Sequence, residues 1–174
     1  MGRGLFNKNT IEIDLSQRAL TGSIPPRIGD LINLERLDLR KNQFTGSLPP
    51  EIGDLISLET LDLSGNQFTG IIPPEIGDLT NLKVLFLQGN QLTGSLPSEL
   101  GNLTNLSRIN LSYNQLSGFI PNEICDLNLK WYTDLSEHWS EWGTGLSNIN
   151  YNQFCPPYPD CPINVYGQDT TNCE

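Results

Sequence analysis

The sequence predicts an α/β repeat solenoid built on parallel strands. Three observations carry that expectation. The stretch NQFTGSLPPEIGDL, starting at Asn42, returns as NQFTGIIPPEIGDL at Asn66, and the 24-residue period then holds to the level of Asn114. Each copy contains a short segment, such as LETLDLS at Leu58–Ser64, that alternates apolar and polar with period two, as a strand with one buried face does. One copy cannot cover its own leucines, so adjacent copies must stack into a continuous core.

The elements of one copy, Leu55 to Asp78, follow from its residues. In the strand Leu61 and Leu63 point inward, aligned with Leu37, Leu85, Ile109 and with Leu39, Leu87, Leu111 in the other copies. Asn66 then turns the chain, and its amide is placed to bond the backbone of neighbouring copies. Asn42, Asn90 and Asn114 hold the same position, and Asn152 repeats it after a break. Gly70 permits unusual backbone angles, while Pro73 and Pro74 exclude a helix interior and favour an extended return. The segment PEIGDL leaves room for one helical turn. On this basis residues 1–10 are an N-terminal edge, 11–126 are five repeats with an atypical first copy, and 127–174 hold an insert, a last strand and a C-terminal cap.

Composition narrows the function. Twenty acidic against ten basic residues give a net charge of −10, which disfavours nucleic acid and anionic membrane surfaces as partners. No apolar run is long enough to span a bilayer, so membrane insertion is not expected. Cys125, Cys155, Cys161 and Cys173 fit neither a CxxC pair nor a Cys/His zinc site, and two disulfides are the simpler reading. Disulfides imply an oxidising compartment, so the expected location is extracellular or at the cell surface, with an export signal absent from this stretch. No cofactor and no metal site is expected.

The repeat resembles the leucine-rich repeat family, in particular its plant-type subclass LxxLxLxxNxLxGxIPxxLGxLxxL. Leu58, Leu61, Leu63, Asn66, Phe68, Gly70, Ile72, Pro73, Ile76, Gly77 and Leu79 meet that pattern in order. The resemblance runs from about Ile11 to Leu127. It implies a horseshoe with a parallel sheet on the concave face, a second short strand at TGxIP, and 3₁₀ or irregular segments on the convex face. It also implies function by binding. Two departures stand out: the family's N-terminal cysteine pair is missing, leaving the strand Ile11–Leu15 as a bare edge, and Arg18 replaces the turn asparagine.

Beyond Asn114 the period breaks, because Asn152 follows at 38 residues rather than 24. The last strand resumes at LSNINYNQF, with Ile149 in the place of Leu111 and Phe154 in that of Leu116. The proline-rich CPPYPDCP stops further stacking. This end is similar to the disulfide caps of secreted microbial and algal leucine-rich repeat proteins. Continuing the repeat alignment places Cys161 level with Glu123, which favours the pairs Cys125–Cys161 and Cys155–Cys173; the other two connectivities stay open.

Candidate binding residues are those flanking the inward leucines. Each strand offers three: Glu12, Asp14 and Ser16; Arg36, Asp38 and Arg40; Thr60, Asp62 and Ser64; Val84, Phe86 and Gln88; Arg108, Asn110 and Ser112. Asp14, Asp38 and Asp62 form a solvated carboxylate row compensated by Arg36 and Arg40, either a plain surface or a strip for a basic or hydroxyl-bearing partner. Phe86, beside Val84, makes an exposed apolar spot in a column otherwise held by Asp or Asn, the kind of aromatic that anchors a partner. Tyr113 and Tyr151 extend an aromatic margin. The insert KWYTDLSEHWSEW holds every tryptophan and the sole histidine, His138, and reads as a cap or a ligand-gripping loop. His138 lacks catalytic partners in sequence, and the sequons at Asn102, Asn105 and Asn110 discriminate little.

The function expected is therefore non-enzymatic recognition of a protein or peptide on the concave face. The alternatives are a glycan-binding face, or an assembly module that forms a homodimer through the N-terminal edge. On this reading Phe86→Asp and the pair Arg36→Glu, Arg40→Glu each weaken partner capture and leave stability within about 1 kcal/mol.

Overall fold

The structure, a computed structural model, describes residues 7–127, 129, 147–159, 169–171 and 173. Each copy folds as strand, turn, second strand and 3₁₀ turn. The first strands are β1 (Glu12–Asp14), β3 (Arg36–Asp38), β5 (Thr60–Asp62), β7 (Val84–Phe86) and β9 (Arg108–Asn110). They make one parallel sheet in the order β1-β3-β5-β7-β9, with residues 24 apart in register, as in Leu37↔Leu61 and Leu61↔Leu85. The second strands are β2 (Thr21–Gly22), β4 (Gln43–Ser47), β6 (Gln67–Gly70), β8 (Gln91–Gly94), β10 (Gln115–Gly118) and β11 (Gln153–Phe154). They form a second parallel sheet. β4, β6, β8, β10 and β11 begin one residue after the turn asparagine, and β6, β8 and β10 end at the glycine, so they reach only the first two residues of the expected TGxIP position.

Each 3₁₀ turn starts just after Pro25, Pro49, Pro73, Pro97 or Pro121, whose extended backbone (φ −77 to −62°) feeds directly into it. The turns stack so tightly that only glycine fits at some positions. A Cβ on Gly77 would stand 2.5 Å from the Glu99 carbonyl oxygen and 2.7 Å from its Cβ.

The core is one continuous stack between the two sheets and the turns. Leu58, Leu61, Leu63, Leu82, Leu85 and Leu87 are fully buried, as are Phe68 and Phe154. Phe68 lies parallel to Phe44 with ring centroids 6.1 Å apart.

The asparagines join this core as a ladder. Asn66 Nδ2 donates to the carbonyls of Leu39 and Leu63, and its Oδ1 accepts from the Phe44 N–H. Asn42, Asn90, Asn114 and Asn152 repeat the arrangement, all buried. In the first copy, where Arg18 stands for asparagine, Asn42 Oδ1 accepts from both the Arg18 and Leu20 N–H groups. A second set runs behind the strands: Asn33, Asn81 and Asn105 donate to the carbonyls of Lys8, Ile56 and Thr80.

After the break the stack resumes. Asn148 bridges Asn110 in parallel, β11 pairs with β10, and Ile149 and Phe154 are fully buried. Cys155 and Cys173 form a disulfide with Cα atoms 5.5 Å apart. Cys125 is also disulfide-bonded. Cys161, its expected partner, lies outside the described residues, as do Trp131, Trp139, Trp142 and His138. No helix among the described residues is long and apolar enough to cross a membrane.

Candidate binding face

The outward residues of the five-stranded sheet form the face on which the sequence placed its candidates. Register is as expected: Asp14, Asp38 and Asp62 are neighbours along one row, continued by Phe86 and Asn110. Exposure is not. Asp38 is fully buried and Asp62, Ser64, Val84 and Ser112 nearly so. Thr60, Phe86, Gln88 and Asn110 are half-buried, while Glu12, Asp14, Arg108 and Tyr113 are open.

The expected solvated carboxylate strip is thus corrected, for two physical reasons. The first is local. Each acceptor in this row turns back to cap the N–H two residues on: Asp14 to Ser16, Asp38 to Arg40, Asp62 to Ser64, Asn110 to Ser112 and Asn148 to Asn150. These are Asx-turns that end the strand, a structural duty. The second is coverage. Arg36 reaches Asp38 at 2.8 Å, and Arg40 lies 3.5 Å from Asp38 and 3.6 Å from Asp62, so guanidinium groups roof the carboxylates. Arg36 also meets Glu12 at 3.3 Å. The accessible charge over Asp38 and Asp62 is that of the arginines, while Glu12 and Asp14 at the β1 edge stay open and acidic.

Reversing Arg36 and Arg40 would strand a buried carboxylate, so the expectation that this pair of changes spares stability does not survive. Burial holds the Asp38 carboxyl above its ordinary value of 3.8, and the Arg40 N–H bond and guanidinium only partly offset this. Between the ordinary and the raised value the native state holds more protons than the unfolded chain. Stability from this group is therefore full below the ordinary value and is lost as pH rises through the raised one. The urea midpoint of the parent chain relative to Asp38→Asn should fall as pH rises from the ordinary value through the raised one. A relative midpoint that climbs over that range would reverse the sign. Asp14, exposed and capped by the Ser16 N–H, is shifted the other way.

Phe86 is the one member of its row that cannot cap. Its ring occupies the Asx position, half-buried, with the Arg108 guanidinium carbon 5.9 Å from the ring centroid. Val84, expected as an exposed partner of Phe86, is only 7% exposed. Alongside, Tyr113 and Tyr151 stack with centroids 4.4 Å apart. Both adopt left-handed backbone (φ 54° and 55°) at the register position held by Gly65 and Gly89 in earlier copies. Such a conformation costs a non-glycine residue roughly 1–2 kcal/mol, so the tyrosines sit there against local preference. Burial, together with the neighbouring Tyr151, raises the Tyr113 hydroxyl above its ordinary value.

The family model described as "Leucine-rich repeat region" matches residues 14–144. The chain belongs to the leucine-rich repeat family. Among solved structures, the PEPR1–AtPEP1 complex is 34% identical with a TM-score of 0.75, over 86% of this chain and 19% of that one. The ectodomain of the Arabidopsis receptor kinase HAESA, in complex with an N-terminally extended IDA peptide hormone, is 34% identical with a TM-score of 0.72, over 86% and 22%. The BIR3–SERK2 complex from Arabidopsis thaliana is 35% identical with a TM-score of 0.66, over 87% and 73%. This chain spans about a fifth of the length of the first of these. No curated protein matches it by sequence.

Within this leucine-rich repeat sheet the sequence placed Phe86, Arg108 and Tyr113 among the outward residues but missed the Arg108–Phe86 contact and the capping duty of the Asp/Asn row. The signal was present, since every copy with an Asx there has Ser, Arg or Asn two residues on, but alternation alone reads both as outward. No group of three or more His, Cys, Asp or Glu side chains able to hold a metal is found among the described residues.

Proposed function

We propose that this leucine-rich repeat chain is a non-enzymatic recognition module that captures an extended peptide or protein segment on its five-stranded sheet, outside the cell. The observation that carries the reading is Phe86. An aromatic ring replaces a strand-ending cap on an otherwise repeated scaffold and lies under Arg108, which leaves it no structural task that an Asp or Asn would not do better. The arginines over Asp38 and Asp62 suit acidic groups of a partner, and the Phe86 ring suits an apolar side chain beside them. The complex of the similar HAESA ectodomain with a peptide hormone supports a peptide-binding use of the fold.

Phe86→Asp should reduce capture of the main partner from the native extracellular medium by at least about tenfold, while stability stays within about 1 kcal/mol. Capture unchanged by Phe86→Asp would remove this face from consideration. A second reading rests on β1, whose outer edge no strand covers among the described residues and beside which Ile11 is 57% exposed. Self-association of the purified chain in sedimentation, with no partner captured, would favour that edge.

A further inference from the structure

Outside the strand face, the sequence column that follows the glycine of each TG or SG dipeptide reads Ser23, Ser47, Ile71, Ser95 and Phe119. Three of these are small and two are large. Ile71 is 56% and Phe119 60% exposed, and unlike the single exposed isoleucines elsewhere in the stack they line one groove together. They flank Ser95 on adjacent copies and bound a groove of about 500 Å³, whose lining includes Pro74, Pro97 and Glu99. β6, β8 and β10 are adjacent parallel strands, so Ile71, Ser95 and Phe119 leave three neighbouring copies just past their strand ends, with the small side chain between the two large ones. A groove of that volume has room for one inserted apolar side chain.

Its surroundings choose the rest of the partner. Glu99 lines the groove, and Glu75 and Glu123 hold the same place on the turns above and below, all exposed. No ion pair among the described residues involves any of the three. Between Ile71 and Leu127 the only cationic residues are Lys83 and Arg108. Lys83 is paired to Glu59 at 2.7 Å, and Arg108 lies over Phe86 on the strand face. The groove is therefore walled by apolar side chains, with Ser95 and Ser98 in its lining, and acidic at its rim, where no ion pair among the described residues neutralises the glutamates.

We propose that this notch is a second docking site, for a peptide segment that inserts one aliphatic or aromatic side chain between Ile71 and Phe119 and sets lysine or arginine against the glutamate row. Burial of the inserted side chain supplies affinity, and the acidic rim supplies orientation and salt dependence. The site is independent of the strand face.

A fluorescein-labelled peptide Lys-Lys-Gly-Leu-Gly-Lys-Lys tests it by anisotropy. Saturable binding is expected, weakened about tenfold or more by Ser95→Trp, which fills the notch, and by Glu99→Lys, and likewise when the peptide leucine is replaced by serine. Phe86→Asp should leave it unchanged, so failure here and failure of the strand-face reading are separable. Thermal melts of the exposed-site variants should match the parent and show that the fold is intact. No saturable binding, binding that ignores the serine peptide or the Ser95→Trp change, or a dimer of this chain that Ser95→Trp abolishes would each overturn the proposal.

Discussion

Asn90→Ala should lower the unfolding free energy by about 3 kcal/mol or more, a large loss for a single polar change. The Asn90 amide donates to the carbonyls of Leu63 and Leu87 and accepts from the Phe68 N–H, at 2.9 to 3.1 Å. Alanine leaves three backbone groups without their partner inside a stack that excludes water, and each orphaned group costs about 1–3 kcal/mol. Urea unfolding gives the readout. The midpoint should drop with a nearly unchanged slope, because the surface exposed on unfolding stays the same. A loss below about 1 kcal/mol would mean that water or a shifted turn replaces the amide.

Phe68→Ala is the second large effect, about 3–5 kcal/mol. Its ring is fully buried and stacked in parallel on Phe44, between copies rather than within one. The cavity left behind touches both sheets, and neighbours fixed by ladder hydrogen bonds on two sides cannot close it. The same denaturant experiment checks it. A repeat stack need not unfold in one step, so a broadened or split transition would locate the break at the third copy, whereas a loss under about 1 kcal/mol would show that the stack collapses into the space.

Much of the scaffold was legible because the physics that builds it is periodic. An inward leucine, a turn asparagine and a proline that ends a strand act identically in each copy, so one reading of Leu61, Asn66 and Pro73 served for all. The resumption at Ile149 and Phe154 was legible for the same reason, despite the 38-residue step. What the pattern hid was coverage. Alternation places Asp38 on the outward side of its strand, but not the two arginines that fold back over it or the N–H two residues on that turns it inward. Val84 was lost in the same way, since an outward direction does not guarantee open space beside Phe86. Conversely, the notch at Ile71 and Phe119 lay in plain view as a large-small-large column, but its meaning depends on which strands stand next to each other.

The asparagine bonds also have a direction. Asn42, Asn66, Asn90, Asn114 and Asn152 each hold a backbone carbonyl of the copy before them, at Leu15, Leu39, Leu63, Leu87 and Leu111. Every copy is completed by its successor. During synthesis, which proceeds from the N-terminus, no copy finds its last partners until the next one has emerged. The fifth must wait for Asn152 on the far side of the insert. A chain cut after residue 127 would keep five copies of sequence but only four finished ones, with the raw end at Leu111 and Leu116.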